Sequence, residues 1–188
     1  MLFTLNSGIM AQKSIHVERE MTINVSADEL WEMVGPGFVE VYKWSSSVDH
    51  AEGQGISSFE GAVCDERFCD VNVKGFSKIS EKLTAYDASK MNLAYTVQQG
   101  MPGFVSHAEN NWTVIPLGAN RSKLVMKGKF EVKGLMGLLM RSTMEKKMFE
   151  TLETVLNDAK VYAETGKVSA TKAARMQELS KKLERKAA

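Results

Sequence analysis

Alternating apolar and polar residues run through most of this chain and limit its fold more than any other feature. The alternation begins over residues 15–25 and returns in six further stretches. We predict these further strands near 46–52, 56–70, 77–86, 90–98, 104–116 and 121–132. Short turns that contain glycine, proline or aspartate separate most of them. Strands joined in this way pair in antiparallel order, so the sequence predicts an antiparallel meander of about seven strands.

Helical patterns flank the predicted sheet. Ser26 and Glu29 have the spacing of a capping box and predict a short helix, and a second short helix is expected at 38–42. Residues 135–163 contain no proline and carry apolar side chains at helical spacing, which predicts one helix of about 42 Å. An antiparallel sheet that covers its apolar face with a long helix is an α+β fold.

Length and composition fit one domain with short extensions. Of the 188 residues, 44% are hydrophobic and 25% are charged, and no apolar run approaches the roughly 18 residues of a membrane span. We therefore predict a flexible N-terminal segment at 1–14, a ligand-binding domain at 15–165 and a basic helical tail at 166–188.

The net charge of +1 is unevenly distributed, because the C-terminal tail is basic. Residues 166–188 carry seven lysine or arginine residues and two glutamates, so the tail has a charge of +5 and the rest of the chain −4. A mildly acidic domain argues against nucleic acid binding. The tail has three interpretations: a solvated helix, a docking segment for a partner protein, or a weak anchor on anionic lipid without stable membrane insertion.

A carboxylate interrupts the apolar face of one predicted strand, at residues 78–86. The residues that share this face are Ile79, Glu81, Leu83 and Ala85. An isolated charge in a dry core costs on the order of several kcal/mol, so Glu81 requires a cationic partner or a cavity that contains water. A hairpin turn at Lys74 and Gly75 sets Arg67 opposite Glu81, which would supply the partner.

Further residues on the inner face suggest a ligand site. Tyr95 can donate its hydroxyl to a ligand carbonyl, and Asn110 is a polar group in an apolar row. With Arg67 and Glu81 they form the predicted polar contacts. The predicted apolar walls are Leu93, Trp112, Phe130, Met144, Met148 and Leu152, and the predicted gate is Met101, Pro102, Gly103 and Phe104. A structural ion pair and ordinary core packing remain the alternatives.

No metal or other cofactor is expected. The three histidines (His16, His50 and His107) are scattered, and no phosphate-binding loop or nucleophile motif occurs. Cys64 and Cys69 lie five residues apart in one predicted strand and would point to opposite faces, which makes a mutual disulfide geometrically poor. Free thiols indicate a reducing compartment, so we expect a cytoplasmic protein.

The order of elements resembles the helix-grip superfamily, also called START-like or SRPBCC. This superfamily includes START lipid-transfer domains, birch-allergen-like proteins, polyketide cyclases and aromatases, and plant abscisic acid receptors. The resemblance extends over residues 15–163 and rests on residues 25–31, 61–67 and 80–83 and on Asp87, Tyr95 and the turn at 101–103. Within this superfamily, the chain most resembles bacterial polyketide cyclase/dehydrase-like proteins. It implies a curved sheet wrapped around one long C-terminal helix.

Three functions remain open from the residues and the resemblance. The first is binding of a hydrophobic small molecule, such as a lipid, polyketide or isoprenoid, in a cavity between sheet and helix. The second is a cyclase, aromatase or dehydratase that uses Glu81 or Tyr95 as its catalytic residue for proton transfer, without metal or nucleotide. The third is a regulatory interaction protein whose cavity is vestigial.

Overall fold

A computed structural model describes residues 13–73 and 75–187 of the chain. The strands are β1 (Lys13–Ile23), β2 (Val48–Gln54), β3 (Glu66–Val73), β4 (Phe76–Asp87), β5 (Asn92–Gln99), β6 (Val105–Gly118) and β7 (Arg121–Val132). The α-helices are α1 (Ala27–Val34), α2 (Gly134–Thr165) and α3 (Ala170–Ala187), and 3₁₀ turns lie at Pro36–Lys43 and Ala88–Lys90. The predicted flexible segment falls almost wholly outside the described residues, as does Lys74 of the predicted β3–β4 turn.

The described strands form one antiparallel sheet with the order β1-β7-β6-β5-β4-β3-β2. Helix α2 has 32 residues, or roughly 48 Å, and buries the apolar side chains of its C-terminal half against this sheet. The predicted α+β helix-grip fold is confirmed. Alternating apolar and polar residues predicted the sheet because each strand has one face on the core and one in solvent.

The predicted strand over 56–70 is wrong over its first ten residues, since β3 begins only at Glu66. Asp65 accepts hydrogen bonds from Ser57 and from both the amide and the hydroxyl of Ser58, and these bonds hold a loop in place of a strand. Cys64 therefore precedes the strand. Cys64 and Cys69 are both free, buried thiols.

The capping box fixes the start of α1. Ser26 Oγ accepts a hydrogen bond from the backbone of Glu29, and the Glu29 carboxylate accepts one from the backbone of Ser26. The helix places Leu30 and Trp31 in the core, where the Trp31 ring lies 5.2 Å from that of Tyr86. A local sequence signal thus sets the start of α1, which packs through Trp31 against Tyr86 of the sheet.

The tail is a helix whose first half lies against the domain. Gly166 ends α2 with a φ of 66°, and Ser169 then donates a hydrogen bond to the buried carboxylate of Asp158. Arg175 binds Asp49 through Nε and Nη2, at 2.9 and 2.5 Å. The basic residues at 181–185 are exposed. Of the three interpretations of the tail, a solvated helix describes only this second half.

Within the described residues, the structure contains no helix that is both long and apolar enough to span a membrane.

Replacing Ser26 by alanine should lower the free energy of unfolding by about 0.5–2 kcal/mol, because the backbone amide of Glu29 loses its side-chain acceptor at the start of α1. Urea denaturation measures this change. Ser26→Asp is the matched control, because it keeps a side-chain acceptor and should retain most of the stability. Equal losses for both variants would contradict a capping role.

Candidate functional site

An ion pair lies on the concave face of the sheet, where β3 and β4 run side by side. Arg67 is the cross-strand neighbour of Glu81, as the hairpin register predicts. The guanidinium contacts Glu81 Oε2 through Nε at 2.8 Å and Nη2 at 2.6 Å. The two residues are only 2% and 5% exposed. Each charge therefore has its counter-ion within the protein.

Aromatic rings and one backbone carbonyl complete the surroundings of Arg67. Its Nη1 donates a hydrogen bond to the carbonyl of Phe38, and its Cζ lies 3.7 Å from the centre of the Phe38 ring. The ring of Tyr95 lies 5.4 Å away. The 3₁₀ segment that carries Phe38 thus fixes the guanidinium from one side and Glu81 from the other.

Burial and charge keep the groups around the ion pair protonated. Burial lowers the pKa of Arg67, but the Glu81 carboxylate more than offsets this, so the pKa is raised overall. Burial raises the pKa of the Cys69 thiol to about 12, so the thiol remains a donor to Glu81 Oε2 at 3.6 Å. Burial, and then the charge of Glu81, raise the pKa of Tyr95, so its hydroxyl is also a neutral donor.

A mainly apolar cavity of about 120 Å³ adjoins this pair, between the sheet and α2. Nine of the predicted site residues line it: Arg67, Glu81, Tyr95, Met101, Asn110, Trp112, Phe130, Met148 and Leu152. They come from the five strands β3 to β7, from the connection between β5 and β6, and from α2. The curvature of the sheet brings them together, because alternate residues of neighbouring strands point to its concave side.

Five predicted residues lie outside the cavity lining. Leu93 is fully buried as the cross-strand neighbour of Trp112 and belongs to the core. Met144 lies one turn before Met148 and packs against the edge of the core. Of the predicted gate only Met101 reaches the cavity. The remaining three are Pro102, Gly103 and Phe104, and the carbonyl of Phe104 accepts a hydrogen bond from the backbone of Lys133 at the start of α2.

Several further residues line the cavity that were not predicted from the sequence. Ile79 shares the inner face of β4 with Glu81, and Val97 is the cross-strand neighbour of Glu81 on β5. Ile79 could have been identified from the β3–β4 register that placed Arg67, and Val97 from the alternation that it shares with Tyr95 on β5. Phe76 is the first residue of β4, directly after the β3–β4 turn, and Ser47 lies in the turn before β2, where side-chain direction follows no simple periodicity.

Three polar side chains of the lining retain unused hydrogen-bonding capacity. Every contact of the Glu81 carboxylate with a described residue uses Oε2, which leaves Oε1 available. The amide of Asn110 and the indole Nε1 of Trp112 likewise have no hydrogen-bond partner among the described residues. The site can therefore accept and donate hydrogen bonds within an apolar enclosure.

The described residues contain no group of three or more histidine, cysteine, aspartate or glutamate side chains that could hold a metal ion.

Removing one partner of the ion pair should lower the free energy of unfolding far more than removing both partners. Arg67→Met or Glu81→Leu alone leaves a buried charge unpaired and should lower the free energy of unfolding by about 3–5 kcal/mol. The double variant should lie within about 2 kcal/mol of the wild type, because no buried charge remains. Urea denaturation of the four proteins measures the coupling.

The exposed pair Lys78–Asp70, at 3.2 Å on the same two strands, is the matched control. Its single variants should each change stability by less than about 1 kcal/mol. A Glu81→Leu variant as stable as the wild type would contradict the structural role of the ion pair.

Known structures share this fold over most of the chain. The Zhui aromatase/cyclase from Streptomyces sp. R1128 superposes with a TM-score of 0.63 at 17% identity, over 84% of this chain and 100% of its own. Norcoclaurine synthase from Thalictrum flavum, in complex with dopamine and hydroxybenzaldehyde, gives 0.62 at 15%, over 88% and 96%. A START superfamily protein from Mycobacterium smegmatis gives 0.62 at 18%, over 78% and 97%.

No curated protein matches the sequence. A family match extends over residues 14–164, from the first strand to the end of α2, and leaves α3 outside. The chain therefore belongs to the family described as polyketide cyclase / dehydrase and lipid transport.

Proposed function

We propose that this protein binds a hydrophobic small molecule of the lipid, polyketide or isoprenoid type in the cavity between its sheet and α2. The observation that carries this proposal is the unused acceptor of Glu81 in a mainly apolar cavity. Glu81 Oε1, Asn110 and Trp112 Nε1 would satisfy their hydrogen bonds with the polar end of the ligand. The apolar walls would take up the rest of it.

The size of the cavity limits the part of a ligand that can enter it. A cavity of roughly 150 Å³ can hold benzene, so 120 Å³ suits one ring or a short chain. Larger ligands require movement of the lining. Met101, Met126 and Met148 support such movement, because thioether side chains adapt their rotamers at low cost.

The family description, which joins polyketide cyclase/dehydrase activity with lipid transport, supports this class of ligand. The acidic charge of residues 1–165 supports a small molecule rather than nucleic acid as the ligand. The two free, buried thiols support the cytoplasm as the place of action.

Filling the cavity should abolish binding. Met148→Trp places a rigid ring where a flexible side chain lines the cavity, and it should weaken the affinity for 4-phenylbutanol at least tenfold in isothermal titration calorimetry. Met136→Trp is the matched control, because Met136 lies on an exposed part of the same helix, and its affinity should stay within about twofold. Equal affinity of both variants would contradict binding in this cavity.

A second function, cyclase or dehydratase chemistry, is favoured by the neutral Tyr95 hydroxyl beside the Glu81 carboxylate. Tyr95 would donate a hydrogen bond to a ligand carbonyl, and Glu81 Oε1 would take up a proton from the adjacent carbon. The resulting enolate would then expel a hydroxyl group from the next carbon, and Glu81 would give its proton to that group, so that it leaves as water. The structures named as an aromatase/cyclase and a norcoclaurine synthase support the capacity of this fold for such reactions.

The fate of a ligand from the protein's own host separates these functions. Native mass spectrometry of the protein purified from that host should reveal one bound compound. The compound is then incubated with fresh protein and analysed again. If the protein only binds it, the compound should be recovered unchanged, whereas an enzyme should convert it to a product that is lighter by one water molecule. Glu81→Gln should then abolish conversion and keep the affinity within about threefold. An empty cavity would instead favour a regulatory protein with a vestigial cavity.

A further inference from the structure

A polar groove of about 530 Å³ lies beside the cavity, between α2 and α3. We call this groove the vestibule. Its walls include Lys147 and Thr151 on α2, Thr171 and Ala174 on α3, and Ser47 on the connection that leads into β2. Most of its lining residues carry hydroxyl groups or charges, in contrast to the apolar cavity.

The vestibule and the cavity are adjacent compartments. Ser47, Val73 and Thr151 line both of them. A ligand in the cavity would therefore meet the vestibule directly at these three residues. An amphipathic molecule could place its apolar part among the aromatic side chains and its polar end between the two helices.

Helix α3, which lies outside the family match, supplies one wall of the vestibule. Buried polar contacts hold it there. Lys172, only 3% exposed, donates a hydrogen bond to the carbonyl of Val48 at 2.8 Å, and Ser169 binds the carboxylate of Asp158. Asp158 also accepts hydrogen bonds from the amide and hydroxyl of Ser46 at 2.7 and 2.6 Å. The wall is therefore anchored to the segment that lines the cavity.

Among the charged residues that line the vestibule in the described part of the chain, Lys147 has no counter-ion. Arg175 binds both Asp49 and Glu178, so its charge is balanced. Glu150 has Lys146 at 3.9 Å. Lys147 makes no ion pair and no side-chain hydrogen bond with a described residue. The hydroxyls of Ser47 and Thr171 also have no described partner.

These observations identify a site for a negative charge. We propose that the vestibule binds the anionic head group, a carboxylate or a phosphate, of an amphipathic ligand whose apolar part occupies the cavity. Lys147 supplies the counter-ion, and the hydroxyls of Ser47 and Thr171 donate hydrogen bonds to the head group. This proposal rests on the proposed function, because the head group is positioned by an apolar part bound next to it.

Matched probes test the head-group site in the full-length protein. Isothermal titration calorimetry would compare 4-phenylbutanol, 4-phenylbutyrate and 4-phenylbutyl phosphate, which share one apolar part. We expect the wild type to bind at least one anionic probe tenfold or more tightly than the alcohol, and the tighter of the two identifies the head group. Equal affinities for all three would overturn the vestibule proposal, whereas absence of binding by every probe would overturn the proposed function itself.

Two pairs of variants assign the preference to the vestibule. Lys147→Ala should bring the affinity of the anionic probes down to that of the alcohol, and Lys182→Ala, on the exposed second half of α3, should leave the preference intact. Ala174→Trp fills the groove and should have the same effect as Lys147→Ala. Its control is Met176→Trp on the exposed side of α3. Each variant should bind 4-phenylbutanol within about twofold of the wild-type affinity, which verifies that it is folded. If Lys147→Ala still prefers the anionic probes over the alcohol as strongly as the wild type, the proposal is overturned.

Discussion

The ion pair between Arg67 and Glu81 determines how the centre of this protein is organised. Two charges on the concave face of a sheet are tolerated because they neutralise each other and because the carbonyl of Phe38 takes a further donor of Arg67. The arrangement ties β3, β4 and the 3₁₀ segment together at one point. Because the pair uses only one oxygen of Glu81, it also leaves an acceptor at the cavity. The same contact thus serves stability and recognition.

The helix grip explains why a cavity exists at all. Helix α2 packs against the sheet in its C-terminal half, where Leu152, Leu156 and Ala159 are buried. The cavity lies between the sheet and the part of α2 that carries Met148 and Thr151. Helix α3 then adds polar walls at one side of this space. An apolar compartment next to a polar one fits a ligand with one apolar and one polar end. The polar compartment depends on α3, which lies outside the family match.

Much of this architecture follows from local patterns. Alternation identified the strands, the capping box located α1, and a short hairpin was enough to set Arg67 opposite Glu81. The register changes between Asp70 and Val73, but this change lies between the turn and the pair and leaves them opposite each other. The loop before β3 was missed because Asp65 organises it through hydrogen bonds with Ser57 and Ser58, which follow no strand or helix periodicity. The docking of α3 was missed for the same reason, since no local pattern encodes the contact of Arg175 with Asp49.

The central claim is that an apolar ligand occupies the cavity next to the ion pair. The methyl groups of the methionines report on it directly, because Met101, Met126 and Met148 line the cavity, whereas Met176 lies exposed on α3. In a two-dimensional NMR titration of methyl-labelled protein with 4-phenylbutanol, we predict saturable shifts of the three cavity methyl groups and none at Met176. Shifts confined to exposed methionines, with the three cavity signals unmoved, would contradict the account.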